Sequence, residues 1–374
     1  MLRDLKLSLL RASRAVGAFA LSRASDRRDR QLLILCYHGI SISDEHQWAP
    51  GLYMSQEMFA DRVAHLERGR YAILPLDEGI RRLYDGTLPP RSVVMTFDDG
   101  NFDFYSRAWP VLERSGFPVT VYLTTYYCEK NLPIFPLAIS YLLWKGQGIA
   151  GILDVTRGHE VVIDSSSPAA MRRTQATILR EVDQLALSGI EKDAVANRLA
   201  DVLGVDFADI RRRRLLHLMN AAEVAELAGR GVGFQLHSHR HRSPLDRDEY
   251  VGELMDNRDR IAGLTGTTPR HFCYPSGVCM PQFAAWLHAA GVLSATTCEP
   301  GMCTPKCNRF QLPRLLDHSE MTGVEFESWL AGLGHLLPRR SVGFQPVDRD
   351  GRLIIGPPAE AASPPLAGTS RRQR

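Results

Sequence analysis

Short apolar runs alternate with helix-patterned stretches along most of this chain, and that alternation limits its fold more than any other feature. QLLILCYHGI, RSVVMTFDDG, GFPVTVYLTT, GVGFQLHSH and HFCYPSG each read as a strand without polar alternation. Such runs suit strands buried on both faces of a parallel sheet. Between them lie helical patterns, such as Ser55 to Arg68 with Met58, Phe59, Val63 and Leu66 at helical intervals. Strand–helix repetition implies an α/β fold, either barrel or open sheet, in which chemistry sits at the carboxyl ends of the strands. The alternation lapses between Tyr126 and about Arg230. Good helix formers from Met171 to Leu203 and Ala221 to Ala228 predict a mostly helical insertion over about 127–230, either a lid over the site or a plain structural insert.

With 374 residues, 44% hydrophobic and 23% charged, the chain can bury a large core. The expected organisation is a basic, amphipathic segment at 1–30, a catalytic domain at 31–335 and a Pro-rich, disordered tail at 336–374. In the first segment, Leu2, Leu5, Leu9, Val16 and Phe19 sit near helical spacing. It reads either as a helix packed on the domain or as a peripheral membrane contact. Its apolar stretch is too short to span a bilayer. A net charge of +3 is too small to argue for nucleic acid, so no such partner is expected. The seven cysteines form no disulfide-scaffold pattern, and Cys298, Cys303 and Cys307 read as reduced loop thiols. These features point to a cytoplasmic protein, either free or held at the membrane face.

The chemistry-bearing residues stand at the strand ends. Asp98 and Asp99 follow an apolar strand and precede Gly100. Adjacent carboxylates there are costly to bury unless paired or metal-bound, although a DG turn with a helix-capping Asp is the plainer alternative. His237 and His241 frame HSHRH. Four residues apart on a helical turn, two imidazoles share a face and can chelate one ion; a solvated His/Arg loop is the alternative. Asp99, His237 and His241 together make a mixed carboxylate–imidazole set. Three protein ligands leave positions open for water and substrate, as catalytic metal sites do. Zinc suits such donors, among other divalent ions.

TFDDG, HSHRH and FCYPSG, in that order, resemble the polysaccharide deacetylases of carbohydrate esterase family 4. The likeness covers roughly Leu32 to Leu330, with YHGI and GFPVTVYLTT adding to it. The resemblance implies a distorted (β/α) barrel of about seven strands and a metal-dependent hydrolase that removes an N-acetyl group from an amino sugar of a glycan. A formyl or other amide substrate, or a non-catalytic glycan-binding relative, are the competing readings. It further implies that Asp98 is the general base and that Asp99, His237 and His241 hold the metal, with Ser238 supporting the loop. Tyr274, Pro275 and Gly277 would wall the substrate groove. Leu316-Asp317-His318 matches the family's Leu-x-His, which makes His318 the candidate general acid. His38 either lines the site or is a satisfied histidine at the barrel mouth. Where many family members carry an Arg that orients the base, this chain has Cys273.

Overall fold

The computed structural model describes residues 2–334; the tail expected at 336–374 lies outside the described residues. Two N-terminal helices, α1 (Leu2–Ala15) and α2 (Ala18–Arg23), precede the first strand, β1 (Leu33–Tyr37). There follow α3 (Gln56–Arg68), β2 (Ala72–Ile73), α4 (Leu76–Asp85), β3 (Ser92–Phe97), α5 (Trp109–Ser115) and β4 (Thr120–Leu123). The insertion holds α6 (Phe135–Lys145), β5 (Ala150–Thr156), β6 (His159–Asp164), α7 (Pro168–Gln184) and α8 (Gly189–Leu203). The alternation then resumes with α9 (Ala221–Gly229), β7 (Gly233–Leu236), α10 (Arg247–Thr265), β8 (His271–Cys273), α11 (Phe283–Ala289), β9 (Ser294–Thr296), β10 (Leu315–Leu316) and α12 (Gly323–Leu330).

Seven parallel strands follow one another in the order β9-β8-β7-β4-β3-β1-β10, and β2 pairs with β3. The register explains the distortion. One edge of β3 is taken by β1 along Val93–Phe97, so β2 and β4 share the other: β2 pairs with Ser92 and Val93, β4 with Thr96 and Phe97. Between β9 and the approach to β10 a single bridge, Thr296 to Leu312, replaces a ladder. The result is a distorted (β/α) barrel. The centres of β1 and β3 are apolar because both faces are covered: Leu33, Ile34, Leu35, Val93, Val94 and Met95 are fully buried. All strands being parallel, the ends of β1, β3, β4, β7, β8, β9 and β10 open on one mouth.

The insertion, read from the sequence as mostly helical, also has strands. It contains an antiparallel hairpin, β5–β6, with Ile152 opposite Val162 and Leu153 opposite Val161. Leu153, Val155, Val161 and Ile163 face a second core with Leu142, Ile178, Val195 and Leu199, while Ile152 and Val162 face solvent. The alternation is period two, the strand signature, and the surrounding helix formers obscured it. The N-terminal helices pack on the barrel through Leu10, Phe19, Val324 and Ala331. Arg28, buried just before β1, donates to the carbonyls of Leu330, Gln31 and Ser92.

Candidate active site at the barrel mouth

Strand alternation would send Asp98 and Asp99 to opposite faces. The backbone resolves this by turning. Asp98 N–H still donates to Tyr37 O, extending the β1–β3 ladder. Asp99 then adopts φ 69° and Gly100 φ 86°. A side chain at 100 would lie 2.2 Å from Leu123 Cδ1, so only glycine lets the chain reverse here. Asp98 is left inside the barrel, 1% exposed, and Asp99 faces the mouth.

The histidine pair reaches one face by a different route from the helical turn expected. HSHRH is a bend in which Ser238 has φ 57° and His241 φ 54°. Ser238 Oγ closes it by accepting from Arg242 N–H at 2.9 Å. α10 pins the rest. Asn257 accepts from His237 N–H and donates to Leu123 O and Thr125 Oγ1. Glu253 takes Arg240 N–H and the guanidinium groups of Arg240 and Arg242. His239, the middle histidine, is held away by Thr125 Oγ1 on Nδ1 at 2.9 Å.

His237 Nδ1 meets Cys273 O at 2.9 Å, which fixes the proton on Nδ1 and leaves Nε2 as an acceptor. Nε2 of His237 and Nε2 of His241 lie 3.3 and 3.2 Å from Asp99 Oδ1. Yet Oδ1 is buried and without a hydrogen-bond partner. The three ligand atoms lie within 4.8 Å of one another. A buried carboxylate oxygen facing the Nε2 atoms of two imidazoles suits a shared cation, and these residues fit a divalent metal ion. The Cys273 carbonyl on Nδ1 already orients the His237 ring as a metal-bound histidine requires.

Asp98 has a partner that sequence reading missed. Arg314, fully buried on the approach to β10, makes two parallel bonds to it, Nη1 to Oδ1 and Nη2 to Oδ2, both 2.7 Å. Its Nε donates to Thr297 O and Nη1 also to Thr96 Oγ1. Burial alone would raise the pKa of Asp98, but Arg314 outweighs it and holds the carboxyl well below its usual range. Cys273 Sγ lies 3.0 Å from Arg314 Nη2 and 3.5 Å from Asp98 Oδ2. The small thiol leaves room for Arg314, so a guanidinium stands beside the base although position 273 lacks one. The signal was present in LPRLL: an arginine inside an apolar run cannot be buried without a carboxylate.

His38 lines the site. Its Nε2 is 3.8 Å from Asp98 Oδ2, and its Nδ1 is buried without a partner. Burial lowers its pKa despite Asp98 and Asp99 nearby, so the ring is neutral at neutral pH. His318 stands on the loop after β10, one strand over. Its Nδ1 accepts from Glu320 N–H at 3.3 Å, which places the exchangeable proton on Nε2. Asp317 beside it is buried and holds Arg62 through two bonds, 2.9 and 3.3 Å.

The FCYPSG turn is only partly what its motif suggests. Tyr274 does not wall a groove: it is fully buried, stacks near Phe272 and Phe283, and gives its hydroxyl to Phe310 O at 2.9 Å. The residue ends β8 with its side chain on the core face. Pro275 is also buried, while Gly277, at φ 71°, is half-buried and faces Cys298. Trp109 and Trp286 pack in the core as their helix faces predict. All seven cysteines are free thiols.

A cavity of about 240 Å³ adjoins the histidine bend. Tyr126, Lys130 and Arg240 line it from the barrel, Ser188, Lys192 and Phe207 from the insertion. Lys130 and Arg240 both lie over the Tyr126 ring, at 5.6 and 5.8 Å.

Comparison with known proteins agrees with this geometry. A family model described as polysaccharide deacetylase matches residues 85–184, which include the Asp98–Asp99 turn. The deacetylase PplD of Streptococcus pyogenes, solved in complex with acetate, superposes with a TM-score of 0.53 at 17% identity, covering 81% of this chain and 98% of that one. IcaB from Ammonifex degensii gives 0.48 at 15% identity, covering 81% and 97%. A de-N-acetylase from Aggregatibacter actinomycetemcomitans gives 0.47 at 12%, covering 78% and 97%. No curated protein matches the sequence. The matched segment includes the Asp98–Asp99 turn, and PplD shares the barrel fold.

Proposed function

We propose that this protein is a metal-dependent N-deacetylase that hydrolyses the acetamide of an amino sugar within a polysaccharide or glycan. One observation carries the reading: Asp99 Oδ1, buried without a hydrogen-bond partner, faces the Nε2 atoms of His237 and His241 in the same mouth where Asp98 is held charged by Arg314. Asp99, His237 and His241 would hold the ion, and the donor set suits zinc. A divalent ion at such a site supplies a polarised acyl carbonyl and an acidified water.

The protein's own groups do the rest. Asp98, ionised at every working pH, takes the proton of the attacking water. Arg314 keeps its two oxygens in one plane. N–H groups at the mouth stabilise the oxyanion that develops. His318, protonated on Nε2, returns a proton to the departing amine. The cavity between Tyr126 and Lys192 gives a sugar chain a stacking ring and polar edges beside the reacting centre. Seven free thiols, three of them around Arg314 and Asp98, suit a reducing compartment such as the cytoplasm.

The test is acetate release from acetylated amino-sugar oligomers by the metal-loaded protein, with formylated oligomers alongside. Acetate release that disappears in Asp98→Asn and His237→Ala supports the assignment. Equal release by both variants overturns it, and release of formate alone changes the acyl group.

A further inference from the structure

The N-terminal helix α1 has two apolar faces, and the barrel covers only one. Leu10 is buried and Leu7 half-buried against α12, where Lys6 pairs with Glu325 at 3.2 Å and Arg14 with Glu327 at 2.9 Å. The opposite side carries Leu5, Leu9, Ala12 and Val16. Their spacing of four, seven and eleven residues makes one stripe. Val16 N–H still bonds to Ala12 O, so the helix runs on through it. The stripe is bare: Leu5 is 59% exposed, Leu9 53% and Val16 78%, and Leu21 on α2 adds 77%. Four of the ten exposed large apolar residues in the described chain thus fall within its first 21 positions. The other six are scattered. Concentration of this kind marks an interaction surface.

Charge selects the occupant. Eight arginines and lysines against three aspartates put residues 1–30 at +5, whereas the whole chain is +3, so the remainder is −2. Arg11 and Arg23, on the same two helices, have no ion pair among the described residues. A second copy docked face to face would set these cations against their own equivalents. An anionic bilayer surface receives both the leucines and the cations. No described helix is long and apolar enough to cross a membrane, so contact here lies in the surface plane.

We infer that the exposed stripe of α1, with α2, docks this protein on a membrane surface containing anionic lipid. The geometry gives the docking a direction. Arg3 donates to Glu320 O on the loop that follows His318, so the first turn of α1 lies beside the barrel mouth. From there α1 runs along α12 away from it. Docking therefore brings the mouth close to the bilayer, where a glycan carried on a lipid would be presented. That last consequence rests on the deacetylase reading above; the docking itself does not.

The experiment is co-sedimentation of the full-length protein with large unilamellar vesicles, either pure phosphatidylcholine or with about one third phosphatidylglycerol. The protein should pellet with the anionic vesicles and be released by high salt. Leu5→Glu/Leu9→Glu, both exposed on the outward face and in no contact with the site residues, should lower partitioning by about ten-fold or more while acetate release from a soluble acetylated oligomer stays unchanged. Arg11→Glu/Arg23→Glu should weaken binding to anionic vesicles only. Wild-type protein that stays in the supernatant, or a leucine variant that pellets equally, overturns the inference. So does a concentration-dependent dimer that the leucine variant abolishes, because the stripe is then covered by a second copy. Failure of acetate release in every form, with vesicle binding intact, would strike the deacetylase reading alone.

Discussion

Replacing Arg314 with methionine tests the link between the buried ion pair and the base. In the native protein Asp98 is 1% exposed and Arg314 is fully buried, so solvent does not screen their two 2.7 Å bonds. Breaking such a pair from one side leaves a buried charge and costs about 3–5 kcal/mol. The carboxyl escapes part of that cost by protonating. In the wild type its folded pKa lies below the unfolded value of about 3.9. Its contribution to stability is therefore complete above that value and is lost as pH falls through the folded pKa. In Arg314→Met, burial is opposed only by His38 and His237, and the pKa is expected to rise above the unfolded value. The sign reverses: the variant is most stable in acid and loses stability as pH rises through the neutral range. Urea unfolding at pH 5 and pH 8 should show a wild type that changes little and a variant markedly weaker at pH 8. Activity should follow. Protonated Asp98 cannot take a proton, so kcat/KM at pH 7 should fall by roughly 10²–10⁴, with its ascending limb displaced to higher pH. Metal content should not change, because Asp99, His237 and His241 are untouched. The double variant Asp98→Asn/Arg314→Met should be more stable than Arg314→Met alone. A single variant with wild-type activity and an unmoved acid limb would refute the reasoning, as would a double variant no more stable than the single.

Four further outcomes are expected. His241→Ala should lose most bound metal by elemental analysis and most activity together, while Asp98→Asn should keep the metal and lose turnover by roughly 10²–10⁴. His318→Asn should depress kcat by roughly 10²–10⁴ with bound metal unchanged; if His38→Asn does so instead, the acid is the histidine beside Asp98. Tyr274→Phe removes the hydroxyl's bonds to Phe310 O and to the Cys279 thiol, so it should cost about 1–2 kcal/mol in urea unfolding with kcat/KM unchanged; a loss of substrate affinity would put Tyr274 back in the groove. Gly100→Ala should express poorly or unfold at markedly lower temperature, because its φ of 86° and the contact with Leu123 both oppose a side chain; a normal melting temperature would show the turn can relax.

What the sequence determined by itself was the periodic part. Parallel strands buried on both faces need unbroken apolar runs, so β1, β3, β4 and β7 are readable, and the polar residues after each run must fall at one mouth. Asp98, Asp99, His237 and His241 were legible for that reason, helped by the order of the motifs. Local rules served less well wherever a side chain answers to a distant one. The hairpin at Ala150–Asp164 hid among helix formers because its buried face is supplied by α7 and α8. HSHRH looked helical, but α10 pins it in left-handed turns through Asn257 and Glu253. Tyr274 looked exposed at a motif, yet its ring fills the space between Phe272 and Phe283. Arg314 meets Asp98 across 216 positions of chain, a pairing no local period encodes. α1 read as a single amphipathic helix, and only its contacts with α12 separate the leucines that face the barrel from those that face outward. Periodicity reports which face of an element is apolar; only the packed structure decides what, if anything, that face is packed against.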